Sequence, residues 1–517
     1  MSPNLINNGS YMEDEIVREK YVMESEKLDS LAVWIPRSAR HFIPLIKKIL
    51  RFFEEFLGIK IFFQIPSGLA AIHPEAWEIL KLASHLKSKQ IISFITKEQG
   101  GSSEEIPIVR YKIKMAAGSD FLGDAHGYDI SSDKEALWKA LQSALKLYSL
   151  HKFYPKEGSY KIEPLGKMAE PHLNPESLAG ISDEERKKEN PMFKISFSKE
   201  TEFRWIKGFL LRDKSSIWIP FQLVNINFQK THRDESLLRL AGTAGIGVSK
   251  DKYQAILEGL LDLIEKDACM IAWINELTPP RLDPSTLKNE KITTILNELE
   301  EKKLETHLLA LPTDLPIYVV LALAIDKSGN GPAVSASSGA AFNIEGAVQS
   351  ALLRVLAIRG SSIKKKIQKE FKMTRQSNIF FQTRLENFSN IGRRGRIFLW
   401  ARRKMIKRVG FLLEGKVKKS SEFPDFLRKD SYKEQVNFLS EKMKEVGLEI
   451  MYVNSTPKKI TDTEIKIISV IVPGLQPMHS EESLPYISGR RLSEVPAKLG
   501  YPALREINRL PHPFYTI

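Results

Sequence analysis

Apolar positions along the chain recur at two spacings, three-to-four and two, and the alternation between them sketches the elements. "HFIPLIKKILRFFEEFLG" has helical spacing and leads into the strand-like "IKIFFQI". "PEAWEILKLASHLKSK" followed by "QIISFITKE" repeats that order, and "EQGGSSEEIP" reads as a linker. Residues 1–105 are therefore expected to form an N-terminal α/β segment, with a larger unit over 106–517. There, "SSDKEALWKALQSALKLYSL" predicts a helix with Leu137, Leu141, Ala144, Leu145 and Tyr148 as its buried stripe. Ser132 and Glu135 have the spacing of a capping box. Residues 166–192, rich in Pro, Glu, Asn and Lys, read as a surface loop. "RWIKGFLL" and "SIWIPFQLVNINF" predict a hairpin, and "PIYVVLALAID" a buried strand. "NIEGAVQSALLRVLAIRG" predicts a helix with Asn343 as N-cap and Gly360 as C′ residue. "NFLSEKMKEVG" (helix), "LEIMYVN" and "EIKIISVIVPG" (strands) complete the pattern. The expected fold class is α/β, with mixed sheets and packed helices.

One helix carries unusual chemistry. From Tyr253 to Ile271, Ile256, Leu257, Leu260, Leu261, Ile264, Ala268 and Ile271 recur at helical steps, with Ser249 as the expected N-cap. Glu258, Asp262 and Glu265 line one face of it. Like charges so spaced repel by a few tenths of a kcal/mol per pair, roughly, so water, basic neighbours or a divalent cation must neutralise them. An ordinary solvated face with an Asp262–Lys266 pair accounts for the pattern as well. A loop of small residues, Gly242 to Gly247, precedes the helix and can bring backbone N–H groups near phosphates. It lacks the Gly-Lys-Ser/Thr ending of a Walker loop.

Composition narrows the classes. The 517 residues are 42% hydrophobic and 27% charged, enough for a large core. A single cysteine, Cys269, permits no disulfide within the chain and suits a reducing, cytoplasmic setting. The polar N-terminus lacks a signal-peptide run, and no apolar stretch approaches the roughly 20 residues that span a bilayer. A net charge of +14 favours acidic partners, although a lysine-rich proteome explains it equally.

Five segments, in order, resemble the YcaO family of ATP-dependent enzymes that activate peptide backbone amides. "TAGIGVSKDKYQAILEGLLDLIEKDACMIAWINEL" is similar to the family's small-residue loop and E-x-x-E-R-D-A helix. "PIYVVLALAIDKSGNGPAVSASSGAAFNIEGAVQSALLRVLAIRG" resembles the later strand, turn and helix bearing E-x-x-Q-x-R. "GDAHGYDISSDKEALWKALQSALKLYS" resembles the earlier E-x-x-E-R helix, and "VPGLQPMHSEESLPYISGRRLSEVPAKLGY" with "LPHPF" the C-terminal region of the azoline-forming branch. The resemblance covers about residue 105 to the end. It implies three helices presenting acids that hold Mg²⁺ around ATP, phosphorylation of a substrate amide oxygen, and closure of a thiazoline or oxazoline ring. It also implies a precursor peptide and a partner that binds its leader or supplies an intact YcaO-like subunit, in a homodimer or heterodimer.

Carried over position by position, the motifs are eroded. The first E-x-x-E-R falls on Ser143, Lys146 and Leu147, the second on Asp262, Glu265 and Lys266, and E-x-x-Q-x-R on Arg354, Ala357 and Arg359. The resemblance thus places Gly245, Gly247, Lys146, Asp262, Glu265, Lys266, Arg354 and Arg359 at the nucleotide site, and leaves Asp262 and Glu265 as metal ligands. Lys146 and Arg354 put positive charge where acids would hold a cation, so salt bridges from both to Asp262 and Glu265 are expected. Alternatively, these cations clamp phosphate directly, with Arg359 as a further contact. The resemblance names no catalytic residue here. ATP and Mg²⁺ are the cofactors if the site is active, and none otherwise.

Other candidates are plainer. Cys269, among apolar neighbours, reads as a buried structural thiol. "GRRGRIFLWARRKMIKRVGFLLEGKVKK" reads either as a basic helix with its aromatic residues in the core or as a site for an acidic partner through Arg393, Arg394, Arg396, Arg402 and Arg403. Tyr515, Thr516 and Ile517 extend beyond the "PHPF" motif, which argues against a catalytic terminal carboxylate. Three functions stay open: a catalytically impaired peptide-binding or partner subunit, an active cyclodehydratase with an unusual site, and, as the least favoured, a nucleic-acid binder. No membrane association is expected.

Overall fold

The computed structural model describes residues 20–22, 62–64, 74–98, 108–116, 123–188, 190, 193–227, 235–328, 332–359, 391–427, 431–502 and 506–514. The expected helix before "IKIFFQI", the linker after Glu98 and Gly360 lie outside these residues. Two short strands, β1 (Lys20–Val22) and β2 (Phe62–Gln64), pair antiparallel. Helix α1 (Pro74–Ser88) leads into β3 (Ile92–Glu98), which pairs with β4 (Val109–Met115) and through it with β5 (Asp124–Asp129). The β3–β4 ladder crosses position 105, so β3 shares a sheet with β4 and β5, and α1 shares a core with them and with the helix after them.

That helix, α2 (Asp133–Lys152), lies on the sheet with the expected apolar stripe buried. Ser132 caps it by accepting from the Glu135 N–H. The reciprocal half of the expected capping box is absent: the Ser132 N–H donates to Asp129 instead. Asp129 also anchors Lys139, so it is already at the helix start when Glu135 would reach back.

A second sheet runs β6 (Tyr160–Pro164), β7 (Glu202–Leu210), β15 (Met451–Asn454), β16 (Lys466–Ile471), β9 (Ile246–Ser249), with β8 (Ser216–Pro220) paired to β7 as the expected hairpin. Residues 166–192 are not a mere surface loop. They include a short helix, α3 (Asp183–Arg186), and bury Leu173, Leu178, Ala179 and Ile181, whose apolar side chains pin an otherwise polar stretch.

Helix α4 (Lys252–Ile274) carries the acids and packs on β9, β16 and β13 (Val334–Ala341). Its N-cap is Asp251, which accepts from the Gln254 N–H at 2.8 Å, rather than Ser249, the last residue of β9. The chain needs Lys250 and Asp251 to turn from strand to helix, so the cap falls two residues later. A third sheet orders β13, β12 (Tyr318–Ile325), β11 (Glu305–Leu311), β10 (Arg281–Leu282), β14 (Val417–Lys418). Helices α5 (Glu290–Glu301) and α6 (Ile344–Ile358) cover one face of it, and α4 lies on the other. Asn343 caps α6 as expected, accepting from the Gly346 N–H. Helices α7 (Arg393–Trp400), α8 (Tyr432–Glu445) and α9 (Arg491–Lys498) complete the described residues, α8 and α9 resting against α4.

Candidate functional site

The acids of α4 face outward from one sheet toward α2 and α6, and every one is engaged. Glu258 accepts from the Val248 N–H at 3.2 Å and from Gln142 of α2 at 3.1 Å. Burial pushes its carboxyl above the ordinary range, against the nearby charge of Lys146. Asp262 accepts from the Gly245 N–H at 3.1 Å and pairs with Lys266 one turn along at 3.3 Å.

Glu265 is the hub. Its carboxylate is 2% exposed and accepts from Arg354 (2.6 and 2.7 Å), Lys266 (2.8 Å) and the Ser338 hydroxyl (2.7 Å). The same Arg354 Nη1 donates to the Ser338 carbonyl at 2.8 Å, which fixes the guanidinium between α6 and β13. Burial pushes the Asp262 and Glu265 carboxyls up, but the cations around each outweigh it and hold both below their ordinary values. For Glu265 the largest of these is Arg354, and for Asp262 it is Lys266. The Lys266 ammonium, though buried, is held above its ordinary value by Glu265 and then Asp262.

Two glycines shape this corner. Gly245 has φ +82°, a left-handed conformation that L side chains rarely adopt. That turn aims its N–H at Asp262. At Gly247 a Cβ would sit 1.7 Å from the Ala255 carbonyl oxygen, so only glycine lets the strand meet the helix. The glycines therefore serve helix–strand packing, and the Gly245 N–H already has a partner on α4.

Of the expected salt bridges, Arg354 to Glu265 is present. Lys146 forms none among the described residues; Lys266 holds Asp262 instead, being one turn away on the same helix, whereas Lys146 sits half-buried on α2. Lys146 acts on Glu258 and Asp262 only through longer-range charge. Arg359 ends α6, and its guanidinium donates to Asp326 (2.7 Å), the Pro332 carbonyl (2.9 Å) and Ser335 (3.2 Å). It ties α6 to the turn between β12 and β13. Ser338 and Tyr128 were not singled out by sequence, yet Ser338 touches Glu265 and Tyr128 lies within electrostatic reach of Arg354. Ser338 sits in "SASSGA", whose small residues carry no helical or charge signal.

This arrangement does not fit a carboxylate-bridged Mg²⁺. Three carboxylates, Glu258, Asp262 and Glu265, face three cations, Lys146, Lys266 and Arg354, and the best buried carboxylate, Glu265, has no oxygen without a donor. A divalent ion about 4 Å from one guanidinium meets repulsion on the order of 8 kcal/mol at an effective dielectric of about 20. Among the described residues, no group of three or more His, Cys, Asp or Glu side chains could hold a metal ion.

The third acid of the motif, Asp267, does other work. It accepts from Arg491 (2.7–3.2 Å) and from the Gln476 N–H (2.7 Å), and Arg491 also reaches Asp314 at 2.7 Å. Burial pushes the Asp267 carboxyl up, while the same contacts push Arg491 higher. Four N–H donor contacts at these distances suit the carboxylate, so we assign the charged pair. Asp267 thus fastens residues 476–491 to α4.

Several of the remaining candidates have structural partners. Cys269 is buried and its thiol is pushed up to about 12 by burial. Arg396 is buried in an ion pair with Glu482, so it does not face a partner. Arg403 donates to the Lys327 carbonyl, and burial lowers the pKa of half-buried Arg402. The side chains of Arg393 and Arg394 lie outside the described ones. Trp400 and Phe411 pack on Trp273 in the core. The "PHPF" segment is structural where described: the Leu510 and Pro511 carbonyls accept from Trp273 and Trp400, and Phe514 bridges to Ala336 of β13. Residues 515–517 lie outside the described residues. No helix among the described residues is long and apolar enough to cross a membrane.

Comparison with known proteins sets these helices in context. The family described as YcaO cyclodehydratase, ATP- and Mg²⁺-binding, matches residues 130–476. A solved heterocyclase in complex with substrate and cofactor superposes with a TM-score of 0.65 at 19% identity, covering 83% of this chain and 57% of that one. YcaO from Methanopyrus kandleri, bound with AMPPCP and Mg²⁺, superposes with a TM-score of 0.56 at 16% identity, covering 81% of this chain and 96% of that one. An uncharacterized protein of Methanothermobacter thermautotrophicus is 25% identical over 279 residues, 54% of this chain and 66% of that protein. The chain therefore spans less than two thirds of the heterocyclase and of the curated relative. The solved structures share its fold at low identity, and the family match covers all three site helices: this chain belongs to the YcaO family.

Proposed function

We propose that the chain is a catalytically impaired YcaO subunit in the modification of ribosomal peptides. It binds peptide, or pairs with an intact enzyme, instead of activating amides with ATP itself. The observation that carries this reading is the closed ion-pair hub at Glu265. Arg354 and Lys266 neutralise the acids from within the fold, and a cation from solvent has no charge left to satisfy. Efficient phosphoryl transfer without a divalent ion lacks its main source of charge stabilisation.

The experiment is phosphate release from MgATP by the purified chain, with and without cysteine- and serine-rich peptides. Release at background level under both conditions is expected; peptide-dependent turnover overturns the reading. A second reading, an active cyclodehydratase with an unusual site, has one observation in its favour. Lys146 is a half-buried cation with no ion pair among the described residues, placed within reach of Glu258 and Asp262, where it could hold a phosphate without metal.

A further inference from the structure

The basic stretch around residue 400 divides in two. Arg396 is buried against Glu482, and Arg402 is half-buried. The 3-10 helical segment that follows, Arg403–Leu413, is built differently. Met405, Val409 and Leu412 are buried and Phe411 packs on Trp273, which fixes one side of the segment in the core. Arg403, Lys404, Lys407 and Arg408 are exposed on the other side. None of the four has an ion pair among the described residues; Arg403 donates to the Lys327 carbonyl. The turn that Arg403 touches has no spare acid to offer, because Asp326 is paired with Arg359, and Glu305 contacts Lys327 and His307. The first acid after these cations is Glu414, at the C-terminal cap of the segment. Packing of the inner side thus holds four like charges together on one face, against their mutual repulsion.

We propose that this face binds a nucleic-acid double helix through its phosphates, without reading base sequence. Charge density argues for that occupant. At about 2 Å per residue the four cations span roughly 10 Å, and over that length a duplex carries about six phosphate charges. Each phosphate neutralised releases condensed counterions, so a duplex gains affinity from exposed cations alone. The net charge of +14 adds long-range attraction of the same sign.

Other anionic partners fit less well. A flexible acidic peptide lacks the condensed counterions of a duplex; its exposed ion pairs contribute little each, and ordering its side chains opposes binding. Apolar contacts would offset that ordering, but Met405, Val409 and Leu412 are already in the core. A single strand needs rings on which to stack its bases. Trp400 is fully buried, Phe398 is half-buried and Phe411 is held by Trp273. A rigid duplex needs neither pocket nor ring. This inference goes beyond the proposed function and does not depend on the state of the Glu265 site.

The test is fluorescence anisotropy of a short labelled DNA duplex with the full chain across a salt series. A poly-uridine strand, a poly-glutamate peptide and phosphatidylserine vesicles serve as competitors. With four phosphates neutralised, log K should fall against log salt with a slope of roughly −3 to −4. Lys404→Ala with Lys407→Ala should weaken duplex binding about ten-fold or more at low salt and flatten that slope by about two. Arg403 is left in place because it bonds to the Lys327 carbonyl. Lys288→Ala with Lys291→Ala removes equal charge from an exposed site at the start of α5 and should leave binding within about two-fold. Melting curves matching wild type check that both pairs of variants stay folded. No duplex binding by the wild type, a slope unchanged in the Lys404 and Lys407 variant, or equal weakening by both pairs overturns the proposal. So does tighter binding of the single strand, the peptide or the vesicles than of the duplex.

Discussion

Two buried carboxylates two residues apart on one helix, Glu265 and Asp267, each end in an arginine, yet the two ends differ. Arg491 is 3% exposed, shares Asp267 with a backbone N–H, and is itself shared with Asp314. It joins distant parts of the chain. Arg354 is 31% exposed and meets Glu265 alongside Lys266 and Ser338, on a helix that the family match covers. The first is a clamp that ties residues 476–491 to α4. The second, on the proposed reading, neutralises Glu265 with a side chain and leaves no place for a metal ion beside it. On that reading similar bonds should have different consequences: removing the first should cost stability, and removing the second should open a site.

The largest expected effect breaks the clamp. Arg491→Ala leaves Asp267 buried without its cation and should cost about 3–5 kcal/mol, read as a lowered urea midpoint. Arg354→Met should cost less, about 1–3 kcal/mol, because Lys266 and Ser338 still satisfy Glu265. If the two variants lose equal stability, the distinction between clamp and plug fails.

Acidity sharpens it next. Asp262 and Glu265 are held below their ordinary values despite burial, so their stabilisation is fully present above the ordinary carboxylate range. It is lost as the pH falls through the depressed values. Arg354→Met removes the largest charge holding Glu265 down, and a series of urea midpoints against pH should show a shallower acid limb than wild type. The smallest effect concerns Cys269, one turn past Glu265. With its thiol buried and pushed up to about 12, it should resist alkylation in the native state and react once denaturant opens α4, as followed by mass spectrometry.

Much of this was legible in the sequence where periodicity was strong. The stripe of α2, the β7–β8 hairpin, the β12 strand and the Asn343 cap all follow from local pattern. The Asp262–Lys266 pair follows from helical spacing, and Arg354 against Glu265 from the motif positions. The parts that were not legible required knowing which distant segments meet. Lys146 looked equivalent to Arg354 in the motif, but Lys266 lies closer to Asp262 and takes it. Arg396 looked like surface charge because its partner, Glu482, is far along the chain. Residues 166–192 looked solvated because the few apolar anchors there were outnumbered by polar neighbours. Asp267 gave no hint of Arg491, which sits more than two hundred residues later.

The most direct measurement of the central claim is calorimetric titration of ATP into the wild-type chain and into Arg354→Glu, each with and without Mg²⁺. Mg²⁺ should add nothing to nucleotide binding by the wild type, and a metal-dependent component should appear once a second carboxylate replaces the guanidinium beside Glu265. Tight, Mg²⁺-dependent ATP binding by the wild-type chain would mean that Arg354 and Lys266 do not close the site.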